Sequence, residues 1–192
     1  MLKFNHVSFA YDKKPVLVDF SMELVPCERL AVMGPSGCGK STLLHLAAGL
    51  LTPTAGNIDS DFLPPAVAFQ EPRLFGHLTV KQNLLAVQKK PDEKAVARVL
   101  ELVQLQDEID AYPDELSGGM QSRVSLARAL LFESDLYLFD EPFAALDEAT
   151  RKTVLENVKA FLTEKNAAAI LVTHQHEDAE AFATRRLTLS AD

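Results

Sequence analysis

An α/β fold on a mostly parallel sheet is predicted by three features of this chain. Leu30-Ala31-Val32-Met33, Leu136-Tyr137-Leu138-Phe139 and Ala169-Ile170-Leu171-Val172 are short, wholly apolar runs, as strands buried on both faces require. Stretches with helical periodicity lie between them, and strand-helix alternation is the pattern of a parallel sheet. The first of these strands also runs straight into a glycine-rich loop that opens a helix.

Taken in order, Val7, Phe9 and Tyr11 alternate with smaller or polar residues, and so do Phe20, Met22 and Leu24, which predicts an N-terminal antiparallel β region of half-buried strands. After the glycine loop, Lys40–Leu50 has helical composition until Thr52-Pro53-Thr54 stops it. A second buried strand is expected to end at Gln70. The middle then turns helical. Thr79 can cap a helix carrying Val80, Leu84 and Val87, and Asp92 another with Val96, Val99, Leu100 and Val103 on one face. Ser117 precedes a third, with Val124, Leu126, Ala127 and Leu130. Val154, Val158, Phe161 and Leu162 mark one more between the last two buried strands, and a final strand is expected at Arg186–Ser190. No repeat, low-complexity tract or linker interrupts the pattern.

At 192 residues and 47% hydrophobic, the chain can bury a full core as one domain. Its net charge of −8 argues against general attraction to nucleic acid or anionic lipid. Met1-Leu2-Lys3-Phe4-Asn5-His6 is too polar to begin a signal peptide, and no apolar run reaches the roughly 20 residues that span a bilayer. Two cysteines, Cys27 and Cys38, make no disulfide framework. A cytoplasmic chain without direct membrane insertion is therefore expected, any membrane link coming through a partner.

Gly34-Pro35-Ser36-Gly37-Cys38-Gly39-Lys40-Ser41-Thr42 follows a predicted strand and opens a predicted helix, which is the context of a phosphate-binding loop and makes the core a phosphate-loop NTPase. Its glycines permit close backbone approach, and successive N–H groups form an anion nest at a helix N-terminus. Lys40 would reach the β and γ phosphates of ATP, and the Ser41 hydroxyl would coordinate Mg²⁺. Cys38 is either a thiol made reactive by this nest or a filler of a permissive loop position. Asp140 ends a buried strand where α/β sheets bind ligands, and is the expected outer partner of Mg²⁺. Glu141 follows, placed to polarise an attacking water, and Pro142 stops the strand. A helix cap with an adjacent surface acid would explain Asp-Glu alone, but not this run downstream of a phosphate loop.

Leu116-Ser117-Gly118-Gly119 exposes a hydroxyl and N–H groups at another helix start, a second anion site. Ser117 is expected to be an N-cap, but that role alone leaves its paired glycines unexplained. With the phosphate loop upstream, this run resembles the signature loop of ABC transporter ATP-binding subunits, and the resemblance covers nearly the whole chain. It implies a single ABC ATPase domain over 1–192 with a helical subdomain inserted at about 75–132. It implies ATP and Mg²⁺ as cofactors, and a head-to-tail homodimer in which each ATP lies between one phosphate loop and the partner's Ser117, Gly118 and Gly119. It further implies that Gln70 touches metal or water, that Asp147 crosses the dimer interface, that His174 steadies Glu141 and contacts the γ-phosphate, and that Tyr11 stacks on adenine. By the same resemblance the partner in the membrane is a separate transmembrane permease, coupled through a groove near Gln70 and Leu74–Leu84, and the subunit sits peripherally on the inner face of the cell membrane.

Three departures stand out: Met120 precedes Gln121 where the family more often has glutamine first, the segments 53–70 and 84–116 are short, and no regulatory tail follows the last strand. The run from Met120 to Leu130 is similar to the ATPases of nitrate, sulfonate and taurine importers. An importer is the leading reading; an ABC-type ATPase acting on a soluble complex, and a small-molecule phosphotransferase, are the alternatives.

Overall fold

A computed structural model describes residues 1–190. Five strands make a wholly parallel sheet in the order β5-β6-β7-β3-β8, with β3 at Arg29–Met33, β5 at Ala66–Ala68, β6 at Leu136–Asp140, β7 at Ala168–Val172 and β8 at Arg185–Thr188. A smaller antiparallel sheet, β2-β1-β4, comes from β1 (Leu2–Tyr11), β2 (Lys14–Leu24) and β4 (Ala55–Ser60).

The central strands are apolar throughout because each of their faces meets a different core. Leu136, Leu138, Ile170 and Val172 point, with Leu30 and Val32, into a cluster shared with α1 (Lys40–Ala47) and the antiparallel sheet. The alternate residues Tyr137, Phe139, Ala169 and Leu171 point into a cluster shared with the helices that follow β5. Period-two alternation thus divides one apolar strand between two cores.

The helical side comprises α2 (Val80–Leu85), α3 (Glu93–Leu102), α4 (Gly118–Leu131), α5 (Glu148–Glu164) and α6 (His176–Phe182). No strand interrupts the chain from α2 to α4, and two short 3₁₀ turns, Gln106–Glu108 and Pro113–Glu115, lie between α3 and α4. The caps are those the sequence predicts. Thr79 forms a capping box with Gln82, and Asp92 accepts from the N–H groups of Lys94 and Ala95.

Several element boundaries are corrected, and one strand was not foreseen. First, α1 stops at Ala47, well before Pro53, because Gly49 takes φ 69° and lets the Leu50 N–H reach back to the His45 carbonyl at 2.9 Å. Second, β4 was not foreseen because it carries no alternating signal, with Ile58 its single half-buried residue, so only its pairing with β1 defines it. Third, the short strand β5 ends two residues before Gln70, α2 ends before Val87, and the last strand is shifted to Arg185–Thr188. Among the described residues, no helix is long and apolar enough to cross a membrane.

Candidate functional site

The carboxyl ends of β3 and β6 open onto one cleft of about 580 Å³, in the range of about 300–1,000 Å³ typical of small-molecule sites. Tyr11, Gly34, Ser36, Gly37, Gly39, Lys40, Ser41, Thr42, Gln70, Asp140, Glu141 and His174 all line it. Residues far apart in sequence converge because β3, β6 and β7 are parallel neighbours, so the loop after each lies on the same edge.

The phosphate loop wraps tightly because it bends where only glycine fits well. Gly37 and Gly39 have φ of 81° and 100°, and a Cβ on Gly39 would lie 2.9 Å from Val16. Lys40 Nζ is held by the carbonyls of Gly34 and Pro35 at 2.9 and 2.8 Å, which positions its ammonium over the loop's concave face. Pro35 and Ser36 are exposed at the rim. Cys38, by contrast, is 6% exposed and packs into the core beneath the loop, so the reactive-thiol reading gives way to a packing role.

Asp140 ends β6 at 5% exposure, and its Oδ1 has no hydrogen-bond partner among the described residues. A buried carboxylate oxygen without a donor is costly unless a cation or ordered water meets it, so the donor set of Asp140, Ser41 and Gln70 fits a hard, oxygen-seeking cation. Glu141 adopts φ 51°, uncommon for a non-glycine residue, and is fixed there by donating its N–H to the Val172 carbonyl at 3.0 Å. Its Oε2 lies 2.7 Å from His174 Nδ1, which donates when protonated at that nitrogen. One carboxylate oxygen is thereby occupied, and Glu141 itself lines the cleft.

Tyr11 stands 48% exposed at the tip of the β1–β2 hairpin, where Asp12 and Lys13 take positive φ in the two-residue turn that matches strand twist. Its ring packs edge-on against Phe9 with centroids 4.8 Å apart, leaving a face available at the cleft mouth.

Ser117, Gly118, Gly119 and Asp147 do not line this cleft. Ser117 caps α4, its Oγ accepting from the Met120 N–H at 3.3 Å, and Gln121 Nε2 donates to the Pro113 and Leu116 carbonyls, closing the loop below it. The two glycines differ in their reasons. Nothing lies within 4 Å of a Cβ built on Gly118, whereas one on Gly119 would sit 2.7 Å from the Ala145 carbonyl oxygen. That contact, between segments remote in sequence, was not readable beforehand. It brings the signature turn against the segment that ends in Asp147, which caps α5 by accepting from the Thr150 N–H at 3.0 Å. This hydrogen bonding holds the Asp147 carboxyl below its ordinary range.

A substitution test follows from the contrast. Helix propensity alone would favour alanine over glycine at both positions by up to about 1 kcal/mol. At Gly119 overpacking against backbone, typically about 1–3 kcal/mol, opposes that gain. Gly119→Ala should therefore lower the melting temperature of the isolated subunit and Gly118→Ala should not, as read by calorimetry.

The chain matches the family model described as ABC transporter over residues 17–144. It belongs to the ABC transporter ATP-binding family. A thiamine import ATP-binding protein, ThiQ, of Yersinia pseudotuberculosis is 37% identical, the match covering 98% of this chain and 86% of that protein. The ThiQ of Escherichia coli strain K12 is 37% identical, with 99% and 88% covered. These relatives are named for thiamine, whereas the residues around Met120 pointed to nitrate, sulfonate and taurine importers; the ABC family is common to both. Among solved structures, the dimeric form of MJ0796, a bacterial ABC transporter cassette, superposes with a TM-score of 0.90 at 26% identity, covering 99% of this chain and 94% of that one. The same cassette in a dimeric post-hydrolysis state with ADP and Pi gives 0.90 at 25% identity, covering 100% and 97%. This ABC subunit is an ATP-binding and ATP-hydrolysing enzyme with the cassette fold.

Proposed function

We propose that the chain is the ATPase of an importer, peripheral on the cytoplasmic face of the membrane through a separate permease, and that two copies close head to tail on two ATP molecules. The observation that carries this reading is the division of the anion-binding groups. The phosphate loop, Asp140, Glu141 and His174 line one cleft, while the capped start of α4 and Asp147 lie outside it. A two-fold pairing makes both halves meet twice with one interface.

In that sandwich the loop N–H groups and Lys40 hold the β and γ phosphates, Tyr11 stacks on the adenine, and the partner subunit supplies its signature turn. Ser41, Gln70 and Asp140 would hold Mg²⁺, which when bound would supply positive charge to offset that of the phosphates. Glu141 accepts a proton from the attacking water as its oxygen bonds to the γ phosphorus. The bond from that phosphorus to the bridging oxygen breaks, leaving ADP and phosphate. His174 keeps the carboxylate aimed by holding Oε2.

Cargo enters by relationship alone: thiamine is what the relatives' names carry, and no residue in the cleft is required to recognise it. Reconstitution tests the whole reading. Co-expressed with its permease in vesicles, the subunit should drive ATP-dependent thiamine uptake. Purified alone, its turnover per molecule should fall on dilution as dimers separate, and equal turnover at all concentrations would remove the sandwich.

A further inference from the structure

The segment after Gln70 is tied to α4 by one side chain. Arg128, on the third turn of α4, donates from Nη1 to the Arg73 carbonyl and from Nη2 to the Pro72 carbonyl, both at 3.0 Å. Its guanidinium also lies 5.9 Å from the centre of the Phe75 ring. The tied segment is closed on itself as well. Arg73 takes φ 48° and its guanidinium stacks 4.3 Å from the ring of Phe69, the residue immediately before Gln70.

Arg128 is half-buried and forms no ion pair with a carboxylate among the described residues. Burial lowers its pKa, which is the cost of holding a cation where only carbonyls and a ring answer it. Two parallel N–H donations from a planar fork fix orientation as well as distance, which a lysine at the same place cannot do. The other end of α4 is Ser117, about 16 Å away along a rigid helix at 1.5 Å per residue. Gln70 lines the cleft, whereas Ser117 does not.

We propose that Arg128 is a positioning residue that couples the two half-sites of one subunit, transmitting the placement of Gln70 in its own cleft to the orientation of the signature turn offered to the partner's ATP. The inference rests on the two-copy sandwich proposed above. ATP that draws Gln70 inward pulls Pro72 and Arg73, and through Arg128 it pulls α4. The same fork works in reverse, so a signature turn seated on the partner's ATP holds Gln70 in place.

The test uses the full chain carrying Glu141→Gln, which slows hydrolysis so that ATP-driven dimers accumulate. Dimer formation is followed by light scattering across an ATP titration, with nucleotide affinity measured separately on dilute monomer. Adding Arg128→Met, which keeps an unbranched apolar stem, should raise the half-maximal ATP concentration for dimerisation about tenfold or more while monomer affinity changes less than about twofold. Arg128→Lys should fall between, because it restores a donor without the fork. If Arg128→Met dimerises at the parent's ATP concentration, the coupling role is overturned. It is equally overturned if dimerisation weakens only in proportion to monomer affinity or to a lost melting temperature, since a merely structural residue would do that. Failure of the Glu141→Gln parent itself to dimerise with ATP would overturn the sandwich, and this inference with it.

Discussion

Glu141→Gln should leave ATP bound and lower turnover by on the order of 10²–10⁴, the range associated with a positioned general base. Glutamine is nearly the same shape and cannot take up a proton, so the substitution separates placement from basicity. The backbone that aims the side chain persists, because the N–H bond to Val172 does not depend on the side chain. His174 Nδ1 still finds an oxygen at the position of Oε2 once the amide orients its carbonyl that way. Single-turnover measurements with ATP in excess over its dissociation constant isolate the chemical step. A variant hydrolysing at the parent rate would remove Glu141 as the base and leave only a packing role for its strained backbone.

Lys40→Ala acts one step earlier and should weaken ATP binding itself. A hydrogen bond to a charged group contributes about 1.5–3 kcal/mol, which converts to a loss on the order of 10- to 100-fold in affinity. The free protein already engages the ammonium with the carbonyls of Gly34 and Pro35, so binding exchanges two neutral acceptors for phosphate oxygens. Removing the lysine also leaves those carbonyls facing the cleft without their donor, which repels an incoming polyanion. Titration with a fluorescent nucleotide reads the loss directly. An unchanged dissociation constant would mean that the loop N–H groups alone carry the phosphates.

Most of this architecture was legible in the sequence where its cause is local. The bend at Gly34–Ser41, the caps Thr79, Asp92 and Ser117, and the buried runs of β3, β6 and β7 each depend on residues within a few positions of one another. Among the candidate site residues, Lys40, Ser41, Asp140 and Glu141 were singled out for the same reason, since they open a helix or follow an apolar strand, whereas Tyr11, Gln70, Asp147 and His174 came from the family resemblance. What failed to show depends on distant partners. β4 is nearly all polar and becomes a strand only by pairing with β1. The end of α1 was misplaced because Gly49, with its left-handed backbone, outranks the more conspicuous Pro53. The fate of Cys38 was undecidable from its loop position, because the hydrophobic neighbours that bury it lie elsewhere in the chain. Gly119 belongs to this class too, its requirement being set by a carbonyl at Ala145. The clasp between Arg128 and the segment after Gln70 is of the same kind, joining carbonyls to a side chain that lies two helices and two 3₁₀ turns further on in the element order.

The absence of room between Gly119 and Ala145 has a mechanical consequence. The turn beginning at Ser117 cannot close further on the bend ending at Asp147, so the two-copy sandwich proposed above would present both to the partner together.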